Sequence, residues 1–444
     1  MDWGRCIGAI GAVLGLAACS TAHIDTGPTA GAEEVYASLF PYYAELCAVS
    51  ELKKKHGFGA EISSGVGGHA LFYLNGVCRV EDSHYPVIRL CDESTPPAER
   101  GVGISVNAHY KNANWIATPG REFFFHGGLA PGEPVTRAAY QRTQDRAKAL
   151  GILDGIEFHD GVFEDAPPNM SRRDYKYDVS VATDYAIGFG RDRYCARVPL
   201  DRERMARIVD FMNALNVDYR DGKKEFDWDV LSNNCSHVAH NALAVAGVWS
   251  TWETGRFFLF SAFDFPVPKN EFVNLMQRTN DLDIHDLDEV YDDDAARQAL
   301  MHLDVLPTVQ GAIAEAEPAV QRNEVYDTDL SLIFYDDPIT GRYRRRFDRI
   351  FAEPRYTDLR ANLSYFADLY GKIGRERRPL ASFLADRKSW APAERDRLAS
   401  FYTRYYEYIE QQDAAVAAEL GALPRSAATF AQSHGSGGSS AAPP

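Results

Sequence analysis

The sequence predicts an α+β fold with a mainly helical C-terminal region, and three observations carry that prediction. Short segments rich in β-branched and aromatic residues crowd residues 66–128 and return before residue 200. Among them run stretches whose apolar residues recur every three or four positions, the mark of amphipathic helices. Beyond Pro266 the helical spacing takes over. At 444 residues, 45% of them hydrophobic and 25% charged, the chain has room for two or three compact units and the balance of a globular protein. Lys plus Arg number 47 and Asp plus Glu 63, a net charge of −16, which argues against gripping nucleic acid or an anionic membrane through bulk charge.

Residues 1–18 read as a signal peptide. Arg5 supplies a basic flank, and CIGAIGAVLGLAA (6–18) is an apolar run too short for a stable bilayer span. It ends at Leu16-Ala17-Ala18-Cys19, which resembles a bacterial lipobox, where the Cys becomes the acylated first residue. Ser20 in place of Asp resembles outer-membrane sorting in Gram-negative lipoproteins. The resemblance implies a lipid anchor through Cys19 on the periplasmic face of the outer membrane. No other stretch approaches 18 apolar residues, so acyl chains would do the anchoring. Residues 19–32 are small and polar, a tether.

A first folded unit is expected over 33–265. Val35, Leu39, Tyr42, Tyr43, Leu46 and Val49 are spaced as in a helix over 33–55, with Pro41 as a kink or break. GGHALFYLNGVCRVE reads as a β-hairpin around Asn75-Gly76, and PVIRLC, GVGISVN, NWIAT and REFFF as further strands. Residues 134–150 read as helix, YKYDVSV and RYCARVPL as strands. Asp201 caps DRERMARIVDFMNALN, in which Met205, Ile208, Val209, Met212 and Leu215 form one stripe. Residues 266–424 read as a helical accessory domain, with helices after PVPKN and over 293–302, 355–386 and 391–420; 425–444 reads as a disordered tail.

Cysteine usage narrows the chemistry. Without Cys6 and the acylated Cys19, five remain: Cys47, Cys78, Cys91, Cys195 and Cys235. An oxidising compartment favours pairing, and an odd number leaves at least one thiol over. Should the first four form two bridges, Cys235 is the free one; Cys78 and Cys91 lie on neighbouring strand candidates, though connectivity is not legible in sequence. Cys235 follows Asn233-Asn234 at the start of an apolar helix. Free backbone N–H groups and the helix dipole there favour a thiolate and lower its pKa. Structural burial is the competing reading of any such cysteine. A thiol nucleophile needs a base, and His69, opening the strand HALFYL after Gly67-Gly68, is the best placed of 12 histidines.

A Gly-His strand followed much later by Asn-Asn-Cys at a helix start resembles the circularly permuted papain-like thiol hydrolases of the NlpC-type superfamily. VDYRDGKKEFDWDVLSNNCSHVAHNAL resembles the periplasmic branch related to Lnb-type proteins. The likeness spans roughly residues 60–250. It implies a papain-like antiparallel sheet packed on the Cys-bearing helix, Cys235 as nucleophile and His69 as general base. A third residue that orients the ring is expected on the next strand. A two-residue turn at Asn75-Gly76 sets His69 opposite Asp82, and a three-residue turn sets it opposite Glu81. Glu81 is favoured by its family spacing, with Asn107, His109 and His126 open should the sheet order differ.

Asn234 and His237 are candidates to contact substrate. Cys235-x-His237-x-x-His240 does not converge on a helix, so a metal site is not expected there. The acidic runs Asp281–Asp288 and Asp292–Asp294 lack calcium-loop spacing. No nucleotide fingerprint, serine elbow or zinc-protease motif occurs, and no cofactor is expected. The function expected is an envelope-anchored cysteine hydrolase or acyltransferase acting on an amide or ester bond of a cell-wall peptide or an acylated lipid or protein. The alternative is a non-catalytic lipoprotein using the papain-like domain as a binding module.

Overall fold

Tyr43–Val49 is buried at all seven positions, and it forms the centre of the main sheet. The computed structural model describes residues 18–22, 31–62, 68–81, 83–229, 233–252, 267–330, 332–336 and 343–424. Its strands are β1 (Ala18–Ala22), β2 (Tyr43–Val49), β3 (His69–Asn75), β4 (Val77–Arg79), β5 (Ile88–Leu90), β6 (Gly101–Ser105), β7 (Ile116–Pro119), β8 (Arg193–Pro199), β9 (Ile313–Glu317) and β10 (Leu332–Asp336). The helices are α1 (Ala32–Leu39), α2 (Arg121–His126), α3 (Arg137–Ala149), α4 (Arg172–Ser180), α5 (Arg202–Arg220), α6 (Cys235–Val245), α7 (Pro268–Asn280), α8 (Leu287–Asp292), α9 (Asp294–Leu303), α10 (Tyr343–Ala352), α11 (Pro354–Thr357), α12 (Leu359–Arg375), α13 (Leu380–Ala385) and α14 (Pro392–Ala422). Six antiparallel strands pair in the order β7-β6-β3-β2-β8-β9, flanked by helices, and the C-terminal region is mainly helical. The fold is therefore α+β.

Several local expectations give way to tertiary context. The helix expected over 33–55 stops at Leu39, and β2 takes the rest. Pro41 breaks the helix, and a segment buried on both faces carries no periodicity to separate strand from helix. REFFF is helix α2, its three phenylalanines all buried. YKYDVSV belongs to α4, whose cap is Ser171, the hydroxyl accepting from the N–H of Asp174. The hairpin at Asn75-Gly76 does not close. β3 pairs with β2 and β6, while β4 leaves the sheet to pair with β5. Residues 19–22 of the expected tether, with Ala18 at the end of the expected signal segment, pair as β1 with β10.

The boundary expected at 265/266 is crossed. β9, from the C-terminal region, completes the main sheet, and Phe272, Val273 and Met276 of α7 share a core with Ala70, Phe72 and Leu74 of β3. Residues 1–17 of the expected signal segment 1–18, and the tail 425–444, lie outside the described residues. Among those described, no helix is long and apolar enough to cross a membrane.

Two disulfides brace the sheet region. Cys47 on β2 and Cys195 on β8 are directly opposite and bonded, and Cys78–Cys91 clamps the β4/β5 ribbon. Among the described residues, Cys235 is the free, buried thiol.

The face of the sheet that carries Leu71 and Tyr73 also buries a charge network. Glu45, 0% exposed, pairs with Arg197, its cross-strand neighbour, and with Arg121 of α2; Glu33 and Glu315 complete the set. Three carboxylates meet here, but the two guanidinium groups between them supply the counter-charge. Burial raises the carboxyl pKa of Glu45, yet Arg121 and Arg197 outweigh it and hold the value at about 2. Its unfolded value is 4.5, so this contribution to stability is complete above pH 4.5 and disappears as pH falls through about 2. Glu45→Gln leaves two buried guanidinium groups short of charge and is expected to cost about 3 kcal/mol or more. Urea unfolding at neutral pH reads that loss, and the gap between wild type and variant should close in acid.

Candidate active site

The site forms where β6 ends. β6 pairs with β3 only from Phe72 to Asn75, so the first residues of β3 run past its end. The N–H of Ala70 donates to Cys235 Sγ at 3.4 Å, joining the start of β3 to the start of α6. Gly68 leads the chain into this position with φ +68°, and a Cβ there would sit 2.3 Å from the Val49 carbonyl oxygen. A close backbone approach is what the residue permits.

Asn234 caps α6. Its Oδ1 accepts from the N–H groups of Ser236 and His237 and from the His237 ring at 3.1 Å. The oxygen is thus committed to holding the helix start, which gives Asn234 a positioning role. Asn233 donates to the Asp227 carbonyl and pairs through its backbone with Asp229, fixing the approach to the cap.

The ring of His69 is held from β6. Its Nε2 lies 3.3 Å from Ser105 Oγ, and that hydroxyl donates to Asp184 Oδ1 at 2.6 Å. A hydroxyl has one hydrogen, and Asp184 receives it at the shorter distance. Ser105 therefore accepts from His69, which puts the ring hydrogen on Nε2 and the lone pair on Nδ1. Asn107 Nδ2 donates to both oxygens of Asp184. The carboxylate sits on a tight turn flanked by Ala182 at φ 60° and Ala186 at φ 54°, left-handed conformations that cost a non-glycine residue about 1–2 kcal/mol each. The Ala182 carbonyl accepts from Arg191 Nε, and a second nitrogen of that buried guanidinium donates to the Ser50 carbonyl.

Glu81 takes no part in this arrangement. It is exposed in a turn after β4, because the hairpin that would have set it opposite His69 is not formed; Asp82 lies outside the described residues. Of the other residues held open, Asn107 joins the site through Asp184, His109 packs its ring on Phe158, and His126 pairs with Glu317. Ser105, Asp184 and Arg191 were not singled out in sequence. Ser105 lay inside a recognised strand segment, and only sheet pairing brings the other two to it.

His237 and His240 diverge. His240 bonds Glu271 through Nδ1 and the Ser250 carbonyl through Nε2, and its ring stacks between Trp249 and Trp252. Polar packing is its role.

Burial dominates the electrostatics. It pushes the Cys235 thiol above its ordinary value of 9.0, outweighing the N–H groups of Ala70, Ser236 and Cys235 and the charge of Arg191. The expected lowering by the helix end is present but smaller than desolvation. Burial also drops the His69 imidazole to about 3, with Arg191 adding to the effect. Asp184 is raised, again by burial, against the hydrogen bond from Ser105. At neutral pH the thiol is protonated and the ring neutral, and among the described residues no hydrogen bond joins the two.

Scans against protein-family models, curated proteins and solved structures found no match at significance.

Alkylation by iodoacetamide reads the thiol directly. Its rate at Cys235 should keep rising as pH passes 9.0. A rate already level in the acid range would mean a preformed thiolate–imidazolium pair.

Proposed function

We propose that this protein is a papain-like thiol hydrolase or acyltransferase, anchored through Cys19 to the outer membrane and acting on an amide or ester in the cell envelope. The observation that carries the reading is the junction at Ala70, which brings the free thiol at a helix start to the strand that begins with His69. Behind the ring, Ser105 and Asp184 replace Glu81 in the orienting role.

The resting pair stores no charge, so the proton must move during the reaction. His69 Nδ1 takes the thiol proton as Cys235 Sγ attacks the carbonyl carbon. The N–H of Cys235, at the first helical position, faces the developing oxyanion along with the positive end of α6. The imidazolium then returns its proton to the departing amine or alcohol, leaving a thioester on Cys235. Water or an acceptor nucleophile, deprotonated by the same ring, releases the acyl group. The Nε2–H to Ser105 to Asp184 chain keeps the correct nitrogen free and steadies the positive ring.

The buried, protonated thiol equally supports a dormant papain-like domain serving as a binding module. Acyl transfer separates the readings. Incubation with 4-nitrophenyl acyl esters should deposit one acyl group on Cys235, seen by mass spectrometry of the intact chain. Cys235→Ala should abolish it, His69→Ala should slow it by about 10²-fold, and Ser105→Ala by about tenfold. Nitrophenolate release at the same rate from wild type and Cys235→Ala, with no thioester, would leave only the binding module.

A further inference from the structure

A cavity of 520 Å³ opens between α5, α6 and the segment before the α6 cap. One wall is apolar, built from Phe211, Leu215 and Val238. The lining also holds the carboxylates of Asp218, Asp227 and Asp229, with Lys224 as its single cationic residue. We infer that this cavity binds the protonated primary amine of an aliphatic ligand, the ammonium among the carboxylates and the alkyl chain along the apolar wall. The inference goes beyond the thiol chemistry and does not depend on it.

A buried group adds an acceptor to the carboxylates. His237, 3% exposed, lines the cavity. The oxygen of Asn234 already accepts from two backbone N–H groups, so its bond to His237 Nδ1 requires the hydrogen on that nitrogen. Nε2 therefore carries a lone pair. Burial and the nearby His240 lower this ring to about 4, against the pull of Asp229, so it is neutral at pH 7. A lining so rich in acceptors calls for a ligand with several donors and a positive charge, and a primary ammonium has three.

The protein's own lysine demonstrates the fit. Lys224 Nζ lies 4.7 Å from the centre of the Tyr219 ring and 3.5 Å from Asp218 Oδ2, a cation held by an aromatic face and a carboxylate. A bare metal ion fits less well. Among the described residues, Asp218, Asp227 and Asp229 do not converge into a group that could hold one.

Titration calorimetry of the full chain with hexylammonium chloride tests the inference, with hexanol and sodium hexanoate as controls. Saturable binding is expected for the amine alone, weakening about threefold for each methylene removed in pentyl- and butylammonium. Asp218→Asn/Asp227→Asn should weaken it about tenfold or more, and Lys224→Met, which removes one of the two lysines paired with Asp218, should tighten it. Absence of saturation by about 10 mM would overturn the inference, as would equal binding of hexanol. Unchanged affinity in a double variant that keeps its melting temperature would do so too. Should the double variant unfold, unaltered binding in Lys224→Met is the overturning result.

Discussion

The contact between the Ala70 N–H and the Cys235 sulfur is the constraint on which the site depends. It exists because β6 ends at Ser105, leaving the start of β3 without a ladder partner on that side. An unpaired backbone N–H in the interior is costly, and the sulfur at the start of α6 relieves that cost. The same strand end places His69 beside Ser105. One early termination of a strand therefore seats the helix, offers a donor to the thiol and brings the ring to its hydrogen-bond partner.

Burial then decides the protonation states. Helix end, backbone donors and Arg191 all favour a thiolate, but desolvation wins and keeps the sulfur protonated. The same desolvation keeps His69 neutral. In the reaction proposed for this site, a substrate that displaces water and presents an electrophile would supply the reason for proton transfer. The contrast with Glu45 is instructive. It too is buried, yet two guanidinium groups in contact with it overcome desolvation and keep it ionised. Contact pairing outweighs burial on one side of the sheet, and more distant or weaker stabilisation fails to on the other.

Much of this was legible in the sequence, and the failures have physical causes. Helix α5 and its Asp201 cap followed from the apolar stripe and capping chemistry, and the long C-terminal helix followed from its spacing. Cysteine parity called for at least one thiol left over, Cys235 being that one if the other four paired, as they do, and the Asn-Asn-Cys context located the start of α6. Strand β2 was hidden because burial on both faces erases the alternation that marks a strand. Helix α4 was mistaken for a strand because Tyr175, Tyr177 and Val179 alternate, although Ser171 three residues before Asp174 was a cap signal in plain view. The third site residue was sought on the wrong neighbour. Asn75-Gly76 is a strong hairpin signal, but a local signal does not reveal that β2 and β6 compete for both edges of β3. Asp184 and Arg191 carry no motif at all, and their place follows only from how the loop before β8 folds back.

The central claim is that His69 holds its hydrogen on Nε2 toward Ser105 and keeps Nδ1 open as a base. Nitrogen-15 NMR of the labelled imidazole reads both nitrogens separately. The account predicts a neutral ring protonated at Nε2 from neutral pH down to about pH 5, with the Nε2 signal shifting in Ser105→Ala. A ring carrying hydrogens on both nitrogens at neutral pH, or one protonated at Nδ1 instead, would contradict it.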